Sequence, residues 1–585
     1  MTGINFQSGL HILLLSSGAG LPLLFVLFLW WRPCRKTVYA LLPLTTLPAL
    51  LIVLFVPSEV VVEVPWFFMG GRMGIDPIGR AFLFFTALVW CFSTLFGQAS
   101  LSDDPNRYRF FGYFLVAMAG NFGLILAQDG LGFYLFFAMM SFAAYGLIIH
   151  DDTPEALRAG RIYLGLVIIG EVLLFAALLM IAGMAPGLLF STGQPGTGGA
   201  LLFVLLFLGF GIKAGALPVH FWLPLAHPVA PTAASAVLSG AMIKAGLLGW
   251  LRFYPLGLSN PGDYGEIVIV LGLIAAFYGV VVGLGQREAK TVLAYSSISQ
   301  MGLMTILTGC AMLTPTYRAT IFSVIALYAI HHGLAKSTLF LGTGLLKSSK
   351  NQYSQRCWLT AGLIFIALTL AGFPFTSGAM VKTALKNVSG SLAPPWSGIL
   401  HLLLPLTAVA TMVLMVHFFT VMPTGKASSS KRKQWREMLA WGAGLLGVVA
   451  GLRLWPEAAR FHYGILDSAV LWNGLWPILM GSVIGWLIHR MALRAEKESI
   501  FELPPGDIVG VEGYWNQRKI IPWFTSIQQT PPGDTQIFGT PGFISFFSKY
   551  QGELGKREKI LMRWKVIGIL YLTLCLCLIV LFAFY

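Results

Sequence analysis

Tyr328, His332 and Lys336 stand four residues apart. On an α-helix that spacing sets a hydroxyl, an imidazole and an amine along one face over about 12 Å. Histidine changes charge near neutral pH, and lysine exchanges its proton once it leaves bulk water, so with water between them the three could pass protons. His331 would face elsewhere. The same row could instead be a polar seam that glues two helices. Three more lysines, Lys213, Lys244 and Lys382, and one glutamate, Glu171, also lie inside long apolar runs. At bilayer depth each such group costs roughly 2.5–3.5 kcal/mol to insert. A lysine near a helix end can snorkel, and a Lys–Glu pair can simply hold helices together. Four mid-run lysines weigh against those explanations and point to an ion path.

The elements that must position these groups follow from composition. Of 585 residues, 56% are hydrophobic and only 11% are charged. That is too apolar for a soluble multidomain protein, and spans of roughly 20 apolar residues recur along the chain. Apolar runs centre near residues 20, 47, 87, 118, 140, 173, 211, 243, 275, 301, 330, 365, 409, 444, 481 and 575. The expected fold is therefore an all-α polytopic membrane protein with about sixteen transmembrane helices. The first run has no basic segment before it and no small-residue cleavage site, which reads as a retained helix. The net charge of +15 raises the question of a nucleic-acid partner. Alternating the loops with the N-terminus outside puts 28 of the 39 Lys and Arg in cytoplasmic loops, including Lys431-Arg432-Lys433. Seven fall outside: Arg72, Arg80, Arg252, Arg318, Lys386, Arg453 and Arg460. The excess is mostly topology, both termini are expected on the outer face, and nucleic-acid binding loses its support.

Two of the buried lysines sit in runs that announce a break. Gly209-Phe-Gly-Ile-Lys213-Ala-Gly-Ala-Leu-Pro218, in the seventh run, and Ala371-Gly-Phe-Pro-Phe-Thr-Ser-Gly-Ala-Met-Val-Lys382, in the twelfth, free backbone carbonyls beside the charge. Broken helices at membrane depth line protein-enclosed or hydrated cavities. Lys382 follows Lys213 by 169 residues, and the same offset carries Glu171 to within four residues of Lys336. This suggests that runs four to eight repeat as nine to thirteen. The expected division is 1–108 for the first three helices, 109–255 and 256–425 for two five-helix repeats, and 426–585 for the remainder. Within that remainder, 492–560 is polar and broken by Pro504-Pro505-Gly506, Pro522, Pro531-Pro532-Gly533 and Pro541-Gly542. It reads as an irregular segment on the cytoplasmic membrane face or against a partner. The six cysteines form no CxxC pair and no zinc or iron–sulfur spacing, and Gly283-Leu-Gly-Gln lacks the setting of a dinucleotide site, so no cofactor is expected.

The string Lys213-Ala-Gly-Ala-Leu-Pro-Val-His-Phe-Trp-Leu-Pro-Leu-Ala-His-Pro-Val-Ala-Pro-Thr232 closely resembles the signature of the antiporter-like subunits. That family is shared by respiratory complex I, Mrp-type cation/proton antiporters and membrane-bound energy-converting hydrogenases. Ala294-Tyr-Ser-Ser-Ile-Ser-Gln-Met-Gly302 and His332-Gly-Leu-Ala-Lys336-Ser-Thr-Leu-Phe-Leu341 are similar to two further family motifs. The resemblance covers about residues 75–425. It implies a fourteen-helix core of two inverted five-helix repeats with broken helices seven and twelve, and a hydrated axis of Lys, His and Glu. Lys213, Lys244, Lys336 and Lys382 match the family's lysines of helices seven, eight, eleven and twelve, and His332 its helix-eleven histidine. One departure matters: where the family usually has a helix-five glutamate, this chain has Ala138. Glu171, one helix away, is the candidate replacement, holding a proton on Lys213 when near and releasing it on moving away. Alternatively this half is inactive. The resemblance implies a proton-translocating subunit of a redox-driven complex in a bacterial-type inner membrane, with other membrane subunits and, indirectly, cofactor-bearing soluble subunits as partners. A Na⁺/H⁺ antiporter module of an Mrp-type assembly, or a membrane anchor for a soluble enzyme, are the competing readings.

Overall fold

A peptide group in lipid has no water to bond, so long apolar stretches satisfy their backbone internally as helices. The computed structural model describes residues 6–494 except 65–70, 184–187, 191–196, 349–352, 423–430 and 462–467, together with Gly506. Helices α1 (Phe6–Trp30), α2 (Arg35–Leu41) and α3 (Leu47–Phe55) precede strands β1 (Val61–Val64) and β2 (Gly71–Gly74), which form a two-stranded sheet. Then follow α4 (Pro77–Ser100), α5 (Arg107–Leu126), α6 (Gly130–Ile148), α7 (Pro154–Ala182), α8 (Ala200–Ala214), α9 (Trp222–Val229), α10 (Thr232–Val237) and α11 (Ile243–Gly257). The second half runs through α12 (Gly262–Leu284), α13 (Ala289–Leu313), α14 (Arg318–Ser348), α15 (Tyr353–Ala371), α16 (Ser377–Ser389), α17 (Trp396–Thr420), α18 (Lys431–Ala450) and α19 (Ser468–Arg494).

Among the described residues twelve helical segments are long and apolar enough to cross a membrane, and two shorter apolar helices accompany them. The first fifteen apolar centres each fall in a helix. The sixteenth, near 575, lies outside the described residues, as does nearly all of 492–560. The small sheet has no counterpart in the apolar pattern. The chain divides into two units, residues 1–63 with 72–511 and residues 64–71 with 512–585. The buried lysines, Glu171, Tyr328 and His332 all belong to the first unit.

The breaks fall where glycine allows them. Gly215, at φ 68°, ends α8, and Ala216 N donates to Gly211 O (2.9 Å) before the chain restarts as α9. Gly372, at φ 96°, ends α15, with Phe373 N donating to Leu368 O (3.0 Å), and α16 follows. Left-handed glycine is the usual helix terminator, and both breaks use it. Between α10 and α11 the helix widens to a π turn over Leu238–Met242.

Helices α12 and α13 run antiparallel at backbone contact. Gly265, Gly272 and Gly279, seven apart, oppose Gly309, Gly302 and Tyr295. A Cβ at Gly272 would lie 2.7 Å from the Gly302 carbonyl oxygen, and one at Gly302 would lie 2.6 Å from that of Gly272. Small residues at such a seam let lipid-embedded helices approach closely.

Four of the seven cations expected on the outer face have partners in the fold. Arg72 pairs with Glu63 (2.8 Å). Arg80 donates to Val53 O (2.5 Å) and Val56 O (2.6 Å), closing α3. Arg252, expected in a loop, is in α11 and buried; it donates to Leu124 O (3.2 Å), Ile125 O (2.9 Å), Ala127 O (2.5 Å) and Asp76 Oδ1 (3.1 Å). It thereby meets the negative end of α5. Arg318 Nε donates to Ala311 O (3.5 Å).

Candidate functional site

Helix α7 turns one stripe inward at three- and four-residue spacing, Ala159, Tyr163, Val167, Gly170, Glu171 and Leu174, while Ile168, Ile169, Val172 and Phe175 face out. This amphipathic division puts two polar groups, Tyr163 and Glu171, against the interior. Lys213, in the last turn of α8, donates through Nζ to Tyr163 Oη (2.9 Å), and Tyr163 Oη donates to Ser141 O on α6 (2.7 Å). The Trp222 indole donates to Ile212 O (2.6 Å), a carbonyl at the end of α8, and its ring lies 5.7 Å from the Lys213 ammonium. Glu171 is 6% exposed, and its Oε2 has no hydrogen-bond partner. No direct ion pair joins it to Lys213. Ala138 lies between Tyr134, whose hydroxyl reaches Glu171 O (3.4 Å), and Ser141 on the same side of α6. The α6 position without a glutamate therefore belongs to the neighbourhood of Glu171.

The middle of the bundle holds a polar row. Lys244 Nζ donates to Ser239 O (2.5 Å), a carbonyl of the π turn. Ser239 Oγ bonds Ser297 Oγ on α13 (2.8 Å), and Ser297 Oγ donates to Leu293 O (3.0 Å). Lys336 Nζ on α14 donates to the same Leu293 oxygen (2.9 Å). Both lysines are fully buried. His332, one helical turn before Lys336 on α14, is also fully buried, and both of its ring nitrogens lack partners. A buried imidazole with two unmet ring nitrogens is a natural ligand for water. His227, in the signature string, is likewise unmet at both nitrogens and stacks on Phe340 at 4.4 Å. Tyr328 leads elsewhere: its hydroxyl donates to Gln300 Oε1 (2.9 Å), and Gln300 Nε2 donates to Thr411 Oγ1 on α17 (3.1 Å).

The second break has its own lysine. Lys382 Nζ donates to Ala371 O (2.9 Å), the last residue of α15, and half-buried Lys382 borders a cavity of about 910 Å³. His331 does not point away from this chemistry. Its Nδ1 bonds Ser377 Oγ (2.9 Å) at the start of α16, so it bridges α14 to the broken helix. The structure thus brings Glu171 with Lys213, and Lys244 with His332 and Lys336, and leaves Lys382 in a third group reached through His331. No hydrogen bond joins Lys213 to Lys244 directly. Tyr163, Ser239, Ser297 and His331 are the polar members that sequence reading missed. Among the described residues no group of three or more His, Cys, Asp or Glu side chains could hold a metal ion.

Residues 127–396 match the family described as "NADH:quinone oxidoreductase/Mrp antiporter, TM". The chain is 30% identical over 290 residues to hydrogenase-4 component B of Escherichia coli, covering 46% of this chain and 43% of that one. It is 27% identical over 333 residues to the D component of the Na(+)/H(+) antiporter of Alkalihalophilus pseudofirmus, covering 53% and 65%. To NADH-quinone oxidoreductase subunit M of E. coli it is 29% identical over 345 residues, covering 54% and 66%. The chain therefore spans less than two thirds of the length of each of these relatives. Its fold is similar to a chain in the structure of the Mrp complex from Dietzia sp., with TM-score 0.69 at 20% identity, covering 98% of this chain and 63% of that one. Residues 127–396 hold Glu171, Lys213, Lys244, Tyr328, His332, Lys336 and Lys382, and through that stretch the chain is similar to the membrane subunits of the NADH:quinone oxidoreductase/Mrp antiporter family.

Proposed function

We propose that this chain is a proton-translocating subunit of a redox-driven membrane complex of the NADH:quinone oxidoreductase or hydrogenase kind. The observation that carries this reading is the row from Lys244 through Ser239, Ser297 and the Leu293 carbonyl to Lys336. A merely structural use of two buried amines would call for a counter-ion between them. Here each amine donates to a backbone carbonyl, and the Ser239 and Ser297 hydroxyls, which both donate and accept, lie between those two carbonyls with no counter-ion. In this reading a proton is taken up at Lys213, passes to Lys244, His332 and Lys336 with Tyr328 flanking the row, and leaves by Lys382. Glu171 takes the part of the absent helix-five glutamate, acting on Lys213 across Tyr163. Helices α5–α11 and α12–α17 act as two inverted repeats in a bundle of about sixteen spans, set in a bacterial-type inner membrane with both termini outside. Electron transfer belongs to cofactor-bearing soluble subunits, linked through other membrane subunits.

The test is proton movement in proteoliposomes holding the native complex, with its co-purifying chains identified. Lys213→Ala and Lys382→Ala should each abolish most of it, and unchanged movement in both variants would sink the path. Intact pumping in Glu171→Gln would sink the relocation alone. The likeness to the Na(+)/H(+) antiporter component and to the Mrp complex favours a second reading, a Na⁺/H⁺ antiporter module. Sodium-dependent transport without redox partners would favour it over the first.

A further inference from the structure

Positive residues on the outer side run against the usual bias of membrane proteins and call for a local cause. Arg72, Arg80, Arg252 and Arg318 have theirs in the bonds described above. The side chains of Lys386, Arg453 and Arg460 make no hydrogen bond or ion pair among the described residues. The topology collects these three. Helix α16 ends just beyond Lys386, α17 crosses away, and α18 returns to the same face, where the turn after it holds Arg453. Arg460 follows in the short 3-10 helix Pro456–Phe461.

Lys386, Arg453 and Phe461 line the cavity of about 910 Å³ that Lys382 borders from one turn deeper. No aspartate or glutamate lines it among the described residues. Much of the remaining wall is apolar, with Phe365, Phe375, Leu404, Val449, Leu452 and Leu471 on it. Phe365, Phe375 and Val449 are 37%, 56% and 42% exposed, so this wall also opens outward. Three cations without a counter-charge beside apolar walls fit a ligand that is anionic at one end and greasy at the other. A hydrated inorganic anion would leave the apolar wall wet. The volume is that of an ordinary ligand pocket.

We propose that this cavity binds one anionic phospholipid from the adjoining leaflet, its phosphate on Lys386 and Arg453 and an acyl chain along Phe365, Leu404 and Val449. Basic pockets between membrane helices are known receptors for such headgroups. Neither headgroup residue belongs to the proton row, so the site is tested without touching transport.

The experiment uses the full chain, delipidated in detergent and offered phosphatidylglycerol or phosphatidylcholine, with retained lipid read by native mass spectrometry. The wild type should retain phosphatidylglycerol in preference. Each cation removed should weaken retention about fivefold, and Lys386→Ala with Arg453→Ala together about 25-fold. The charge-conserving pair Lys386→Arg and Arg453→Lys should retain the lipid, which guards against a mere folding defect. Equal retention of the two lipids, or unchanged retention of phosphatidylglycerol by the double alanine variant, would overturn the proposal. Displacement of the lipid by inorganic phosphate would also overturn it and leave a site for free anions.

Discussion

Replacing Tyr163 with phenylalanine removes one oxygen and little volume, from the place where α6, α7 and α8 meet. That oxygen accepts from Lys213 Nζ at 2.9 Å and donates to Ser141 O at 2.7 Å. Lys213 then keeps no hydrogen-bond partner in a site only 2% exposed. A hydrogen bond to a charged group is worth about 1.5–3 kcal/mol. If the charged lysine is a step in transport, the same amount enters the barrier, and the rate falls about 10- to 150-fold. The measurement is dye-reported proton uptake into proteoliposomes holding the native complex, beside thermal unfolding in detergent to separate transport from folding. Tyr163 acts through Lys213 in this account, so Tyr163→Phe added to Lys213→Ala should change little further. Uptake indistinguishable from wild type in a stably folded Tyr163→Phe protein would refute the role given to the first cluster. A loss that persists undiminished on top of Lys213→Ala would show that Tyr163 works through something else.

Ser297→Ala breaks the Ser239–Ser297 link while leaving both lysines their carbonyl bonds. Proton uptake should fall about tenfold, a barrier of about 1.4 kcal/mol, and Ser297→Thr should restore it. Arg252→Ala strips three carbonyls and Asp76 of their shared cation and should cost about 3–5 kcal/mol, read as a lower unfolding midpoint. Arg252→Lys should recover only part of that, since a single ammonium cannot span the same fan of acceptors.

The broken helices were legible because their causes are local. Gly215 and Gly372 take the left-handed backbone that terminates a helix, and prolines follow each within a few residues. The lysines were legible because a charge in an apolar run is conspicuous. Tyr163, Ser239 and Ser297 carry no such mark: tyrosine and serine pass through apolar stripes without disturbing hydropathy, and their importance lies in partners far away in sequence. The π turn at Leu238–Met242 shifts register by a residue without a proline to announce it. His331 was set aside for a geometric reason that the structure removes. Neighbouring residues on a helix point about 100° apart, so His331 does leave the face of Tyr328, His332 and Lys336. The most apolar window of the α14 span is buried throughout, however, and leaving one face there means meeting another helix. Arg252 was misassigned because the carbonyls that accept it come from a segment more than a hundred residues earlier.

The glycine seam between α12 and α13 decides which parts of the bundle are able to move. Leu293, Ser297 and Gln300, which receive Lys336, Ser239 and Tyr328, all project from α13. That helix is keyed to α12 at Gly265–Gly309 and Gly272–Gly302 with no side chain between the backbones. Sliding or rolling it by even half a turn would drive larger residues into carbonyls now 2.6–3.0 Å from where a Cβ would stand. In the proposed proton path helix α13 would therefore be the stator: its acceptors would stay fixed in space, and gating would come from swinging side chains on α14 and α11 and from the short, glycine-hinged halves of the two broken helices.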